Sequence, residues 1–512
     1  MPSPQAIFSD LQATFESGLT KDLQWRKDAL RKLDAMLREN YEEIVDAFIQ
    51  DLGGGDVRVI VEIDTVLEAV KCALANLDEW AADRPAALGN LPAEVPGLDR
   101  RLVRPTPKGV TLVIGAWNYP INLLLDPAVG MIAAGNCVMM KPSEIAPNVA
   151  AVVEKLVHEY LPREAVRVVQ GGVEETTAIL EMPFDHICYT GSTAVGKIVM
   201  AAAAKHLTPC TLELGGKCPI FVHKSAKLRM AATRIVFGKS ANAGQWCVSP
   251  DYVMVDEAIL DDLVKQLVDK SNAMNGDCST ADDVPRNQRW WNKIVNLNHA
   301  KRVMAFLEED HGGEVVLGGL ERCDPENCFI PFTIVINPKP SSKLMTEEIF
   351  GPILVIVPVK DIEKDAIQLM KSVYNTPLAL YVFSEDKQYT ERILNQCTSG
   401  MAVVNTVNEQ CMSETVPFGG VGRSGMGAYK GRSGFEEFSH MRAMLYRTTL
   451  VPLHHTPGFM HPMDNAFPDW VPGLVVKKYF YVVPRWVTRA LLVGGLAAGM
   501  ACCKSVWDSI VD

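Results

Sequence analysis

Between Leu23 and Asp83 the apolar positions recur at helical spacing among charged residues, with Leu30, Leu33, Met36, Leu37 and Ile44 falling on one stripe. That spacing predicts helices. From Arg84 to Pro107, prolines and glycines break the stripe and predict strands or loops at a domain edge. At Gly109 the pattern changes to short, unbroken apolar runs: Gly109-Val-Thr-Leu-Val-Ile-Gly115, Asn136-Cys-Val-Met-Met140, Ala165-Val-Arg-Val-Val169 and Asp185-His-Ile-Cys-Tyr189. Helical stretches such as Val152 to Tyr160 lie between them. Runs that are apolar on both faces suit parallel strands covered by helices on either side. A second alternating block begins near Pro219-Ile-Phe-Val222 and runs to about Val404, and no internal repeat or low-complexity segment interrupts the chain.

Composition narrows the class without choosing a function. At 512 residues the chain exceeds a single core, so two or three domains are expected. A net charge of −11 argues against a protein that coats nucleic acid. Thirteen cysteines, an odd number without paired spacing, favour free thiols in a reducing compartment. The start MPSPQAIFSD has no basic segment followed by an apolar run, and the final Ile510-Val511-Asp512 is no peroxisomal tripeptide. An intracellular location is therefore expected.

Three segments carry candidate chemistry. Gly191-Ser-Thr-Ala-Val-Gly196-Lys197 follows an apolar strand and precedes the helix Ile198 to Lys205, so a helix N-terminus could face an anion there. It misses the ATP-binding loop, because Ile198 stands where a magnesium-binding hydroxyl is needed, and Thr193 replaces the central glycine of the dinucleotide fingerprint. An ordinary strand-to-helix turn is the other reading. In Thr211-Leu-Glu213-Leu-Gly-Gly-Lys217 a carboxylate lies between two leucines. Buried, it would have a raised pKa suited to a general base; on an edge strand it would face solvent. In Asn242-Ala-Gly-Gln-Trp-Cys247 a cysteine follows a glycine-bearing turn, either exposed and reactive or a small core residue. No metal ligation is expected.

Taken together, the segments are far more specific. From about residue 5 to 445 the chain resembles the aldehyde dehydrogenase superfamily in motif order and spacing. The resemblance rests on Gly115-Ala-Trp-Asn-Tyr-Pro120, Met140-Lys-Pro-Ser-Glu144, Tyr189-Thr-Gly-Ser-Thr193, Leu212-Glu-Leu-Gly-Gly-Lys217, Gly244-Gln-Trp-Cys247 and Glu347-Glu-Ile-Phe-Gly-Pro352. Trp-Asn-Tyr-Pro, Lys-Pro-Ser-Glu and the run Pro417 to Tyr429 look like the class 3 branch, which includes fatty aldehyde dehydrogenase. The resemblance implies an α/β fold of two Rossmann-like parallel-sheet domains with a small oligomerisation, or bridging, element. It places NAD(P) binding in 1–212 (with 84–107 contributing to the bridge), catalysis in 213–404, bridging in 405–445 and a C-terminal extension in 446–512.

Its functional residues carry over one by one. Cys247 is the implied nucleophile, forming a thiohemiacetal and then a thioester. Asn118 and the Cys247 amide are the implied oxyanion donors, and Glu213 the base that activates water. Lys141 and Glu144 would meet the adenine ribose, Ser192 the pyrophosphate above the turn of Gly191 and Gly196, and Glu348 the nicotinamide ribose beside Phe350. Lysine favours a 2′-phosphate and a carboxylate repels one, so both NAD and NADP stay open. Tyr119, Trp246 and Phe418 are the expected substrate-pocket residues. Trp246 is bulkier than the resemblance leads one to expect; it would narrow the funnel, offer a flat wall to a long or aromatic aldehyde, or simply pack. Glu174, Glu175, Cys210 and Cys218 match no implied catalytic position.

The expected reaction is NAD(P)-dependent oxidation of medium- or long-chain aliphatic or aromatic aldehydes to acids, by a homodimer. Against it stand a cofactor-independent thiol esterase and a catalytically silent structural protein of the same fold. The first leaves Glu348 and Lys141 without a purpose, and intact Cys247, Glu213 and Asn118 oppose the second. In the tail, the uncharged run Ala490 to Cys503 is shorter than the ~20 residues that span a bilayer. Trp486 and Trp507 bracket it, and Arg489 and Lys504 could snorkel. A membrane anchor at 486–507, holding a cytosolic catalytic domain to an endomembrane, is the expectation; an apolar helix docked on protein is the alternative.

Overall fold

The computed structural model describes residues 3–54, 60–86, 99–275 and 292–447; the expected anchor at 486–507 lies outside them. The helices expected between Leu23 and Asp83 are Leu23–Glu39, Tyr41–Leu52 and Thr65–Ala81. Asp22 caps the first of them, its side chain accepting the Trp25 amide at 2.7 Å. Among the described residues, 83–86, 99–104 and 442–447 group as one compact unit, where β1 (Arg84–Pro85) pairs antiparallel with the start of β2 (Arg100–Pro107). Everything that follows belongs to the other unit, Met1–Ala82 with Pro105–Met441.

The apolar runs become a six-stranded sheet. Its parallel strands are β3 (Val110–Ile114), β4 (Cys137–Lys141), β5 (Val166–Val168), β6 (His186–Gly191) and β7 (Cys210–Leu214). Every residue of β3 and β4 is buried, as a sheet covered on both faces requires. The order runs β5-β4-β3-β6-β7, so the chain winds outward from β3 in one direction and resumes at β6 in the other. Such a switch opens a crevice beyond the carboxyl ends of the central strands. The loop of Asn118 follows β3, Lys141 ends β4 and Ser192 follows β6, so all three border that crevice.

A second, seven-stranded sheet contains β8 (Cys218–Val222), β9 (Pro250–Asp256), β10 (Glu314–Leu317), β11 (Thr333–Ile336), β12 (Ile353–Val359), β13 (Ala379–Phe383) and β14 (Met401–Val404). Its order is β10-β11-β12-β9-β8-β13-β14, parallel except for β10. The architecture is thus α/β with two parallel Rossmann-like sheets, as expected. Cys247 lies just before β9 and Glu348 just before β12, so this sheet presents its amino ends to the site. One short late strand, β15 (Gly425–Met426), returns to the first sheet and pairs antiparallel with β7.

Candidate active site

The turn leading to Cys247 departs from ordinary backbone geometry. Asn242, Ala243 and Gly244 have φ of 50°, 48° and 71° in succession. A Cβ on Gly244 would sit 2.2 Å from the Gly351 carbonyl oxygen, so glycine is required by space as well as by φ. Side-chain amides hold the turn. Asn242 Nδ2 donates to the carbonyls of Asn118 (2.8 Å) and Gln245 (3.2 Å), and Asn118 Nδ2 donates to the Gln245 carbonyl (3.1 Å). Gln245 Nε2 reaches the Asn242 and Lys293 carbonyls at 3.1 Å, and its Oε1 accepts the Val295 amide at 3.0 Å. Three distant segments are thereby fastened around one cysteine. Sequence reading missed this network, although two amide residues within five positions of Cys247, Asn242 and Gln245, were its signal.

Cys247 keeps some contact with solvent through a cavity while protein encloses its thiol. Burial pushes the thiol well above its ordinary pKa, and Cys411 and Glu213 add to the effect. Cys218, which matched no implied catalytic position, donates its Sγ–H to the Cys247 carbonyl at 3.3 Å. Of the two readings open for Glu213, burial holds: the residue is only 2% exposed, and neither carboxylate oxygen has a hydrogen-bond partner among the described residues. Burial raises its pKa well above the ordinary range, and the charge of Glu437 adds to the rise. On the neighbouring strand β15, Gly425 is the residue opposite Glu213.

The crevice residues fit a dinucleotide. Ser192 caps the helix Thr193–Ala204, accepting the Val195 amide at 3.3 Å, so a helix N-terminus stands at the expected pyrophosphate position. Added Cβ atoms would lie 2.2 Å from Tyr189 Oη at Gly191 and 2.6 Å from Leu214 Cδ2 at Gly196. Both glycines permit close approach. Lys141 Nζ donates to Glu144 Oε2 at 2.6 Å. Burial works to raise the Glu144 pKa, but the Lys141 hydrogen bond prevails and holds it below the usual value. Across the crevice a Cβ on Gly215 would meet Glu348 Oε2 at 2.0 Å, so the carboxylate lies directly on bare backbone. Burial and Asp251 push Glu348 up to about 7. Phe350 has φ of 46° and meets Trp117 edge-on at 5.5 Å. Arg302 holds this bend, donating to the carbonyls of Glu348, Ile349 and Phe350 at 3.3, 2.7 and 3.4 Å.

The thiol opens into a narrow cavity of about 20 Å³ whose walls include Tyr119, Leu123, Trp246, Cys411 and Phe418. All three expected pocket residues are therefore brought to Cys247. Lys430, also on the wall, is buried and salt-bridged to Asp126 (2.6 Å) and Glu414 (2.9 Å). This ion cluster fastens the segment bearing Phe418 to the helix Asn122–Ala134. Its sequence signal is the lone Asp126 within an otherwise apolar stretch from Leu123 to Ala134. Among the described residues no cluster of three or more His, Cys, Asp or Glu side chains could hold a metal.

A dinucleotide crevice of this shape, facing an enclosed thiol and a buried carboxylate, defines an oxidoreductase of the NAD(P)-dependent class. Residues 6–444 match the model of the aldehyde dehydrogenase family, and the chain belongs to that family. It is 42% identical over 438 residues to aldehyde dehydrogenase family 3 member A2 of Rattus norvegicus, covering 85% of this chain and 87% of that one. Over 437 residues it is also 42% identical to the dimeric NADP-preferring aldehyde dehydrogenase of the same organism, covering 85% and 93%. Among solved structures, the substrate-bound state of Staphylococcus aureus AldH superposes with a TM-score of 0.85 at 33% identity, covering 94% of this chain and all of that one. The protein is an enzyme that oxidises aldehydes with NAD(P).

Proposed function

We propose that Cys247 is the nucleophile, Asn118 and the Cys247 amide the oxyanion donors, and Glu213 the base. The Cys247 thiolate, its proton released to solvent through the cavity, attacks the aldehyde carbonyl, and an anionic thiohemiacetal forms. One hydrogen of the Asn118 amide is spent on Gln245, which fixes the group and leaves the other for the developing oxyanion. The bound nicotinamide supplies the acceptor for the hydride that leaves carbon. Glu213 then takes a proton from water as it attacks the thioester, and the carboxylic acid departs. The observation that carries this reading is Glu213 itself: a buried carboxylate without a hydrogen-bond partner among the described residues is expensive, and its charge is felt at the thiol it would serve. Lys141, Glu144, Ser192, Gly191, Gly196, Glu348 and Phe350 form the cofactor contacts in this assignment. A thiol esterase would use none of them.

In rapid mixing with aldehyde and cofactor, Glu213→Gln is expected to give one burst of reduced nicotinamide and to accumulate acyl-enzyme visible by mass. Cys247→Ala should give neither. Unchanged steady-state turnover in Glu213→Gln would remove the base assignment.

We further propose a homodimer. Its support is the word dimeric in one relative's name and the helix Thr193–Ala204, which exposes 62% of Ile198 and 48% of Met200. Domain roles of 1–212 for the cofactor, 213–404 for catalysis and 405–445 for bridging belong to the same proposal, with 84–107 joining the bridge. So does a tail anchor at 486–507 that holds a cytosolic catalytic domain to an endomembrane. The anchor rests on the tail sequence, since among the described residues no helix is long and apolar enough to cross a membrane.

A further inference from the structure

Beyond the cavity at Cys247 lies a larger one of about 400 Å³, with Phe237, Met274, Val407 and Met412 among its walls. Three residues line both: Val61, Tyr119 and Trp246. The Tyr119 and Trp246 rings touch, their centroids 4.9 Å apart at an interplanar angle of 43°. The outer cavity has an apolar, solvent-facing rim, with Phe237 41% and Met412 45% exposed. The inner one ends at the thiol. A substrate reaching Cys247 from the outer cavity must therefore pass the place where two flat rings and one small aliphatic side chain close in.

We propose that Trp246, working against Tyr119, is the specificity-determining residue of this enzyme, and that its neck selects unbranched aliphatic aldehydes. Trp246 directly precedes Cys247 in the chain, so the neck meets the first few carbons behind the carbonyl. An unbranched methylene chain is thin enough to pass between the paired rings and Val61, and it gains apolar contact with each wall. A methyl branch or an aryl ring near the carbonyl has to push the ring pair aside, and Tyr119 is itself only 7% exposed and packed in place. The remainder of a long chain then lies in the outer cavity among Phe237, Met274, Val407 and Met412. Of the roles open to Trp246 from sequence, narrowing is the one this geometry supports. The inference rests on the assignment of Cys247 as nucleophile, because that fixes which end of the path the carbonyl occupies.

The test uses the full-length enzyme with NAD or NADP and compares kcat/KM for decanal, 2-methyldecanal and benzaldehyde. Wild type should favour decanal over both. Trp246→Ala should raise the two bulky substrates relative to decanal by about tenfold or more, mainly through KM, the scale on which pocket shape discriminates. Trp246→Phe, which keeps a flat ring, should retain most of the preference. Should these variants fail to fold, product inhibition of wild type answers the same question: decanoate should inhibit about tenfold more strongly than 2-methyldecanoate. An unchanged substrate ratio in Trp246→Ala, or equal inhibition by the two acids, overturns the proposal. Cys247→Ala assayed alongside reports on the nucleophile separately, since turnover surviving there would sink that assignment while leaving the selectivity measurement intact.

Discussion

Residue chemistry at this site is set by what surrounds each group rather than by its neighbours in sequence. Cys247 is one of thirteen cysteines, and nothing in its own turn distinguishes it beyond a glycine. Only the motifs elsewhere in the chain single it out. Glu213 illustrates the limit more sharply, because Leu-Glu-Leu fits an edge strand as well as a buried one. Its neighbour on the next strand, Gly425, and the charge that adds to its raised pKa, Glu437, are both more than 200 residues away. A pH prediction follows from that pairing. Glu213 works as a base only when ionised, and both burial and the negative Glu437 hold its pKa up, so thioester hydrolysis should rise with pH well above the ordinary carboxylate range. Removing the Glu437 charge removes one of the two causes. In Glu437→Gln the rising limb of the single-turnover hydrolysis rate should move to lower pH. A limb that stays in place, or moves up, would show that Glu437 does not tune the base.

At the scale of elements, the strands were the most readable part of the chain. Val110–Ile114 and Cys137–Lys141 are buried on both faces, and such strands write their burial directly as unbroken apolar sequence. Bends were not readable, because positive φ at Asn242, Ala243 and Phe350 is imposed from outside. Asn242 is held through the Asn118 and Gln245 carbonyls, and Phe350 through Arg302. The two-residue strand β15 shows the same dependence on distant contacts. Gly425 has φ of 138°, and a Cβ there would come within 1.9 Å of the Leu212 carbonyl oxygen. Gly425→Ala should therefore detach β15 from β7, destabilise the enzyme by at least ~2 kcal/mol and uncover Glu213. The urea-unfolding midpoint measures the first effect, and a lowered pH limb of thioester hydrolysis measures the second. Wild-type values for both would show that the backbone shifts to accept a side chain.

For the whole molecule, the exposed face of the helix Thr193–Ala204 and the tail raise questions of assembly. Burying an isoleucine contributes ~1.5–3 kcal/mol, and a two-fold interface counts it twice, so Ile198→Glu should convert a dimer to monomer in sedimentation while leaving the fold intact. A mass unchanged from wild type would place the interface elsewhere. Full-length protein should fractionate with membranes and a chain ending near Arg447 should not; equal solubility would remove the anchor. The sequence by itself determined the α/β class, the order of the strands along the chain, the family and the short motifs that carry the chemistry. Those features are local: apolar periodicity and motif spacing survive in a string of residues because each is read over a few positions. Tertiary structure alone decided that Glu213 is buried without a hydrogen-bond partner among the described residues, that Lys430 pairs with Asp126 and Glu414, and that Trp246 and Tyr119 stand where two cavities meet. Each depends on side chains brought together from distant parts of the chain, and the desolvation and shape that govern their chemistry exist only once those parts have packed.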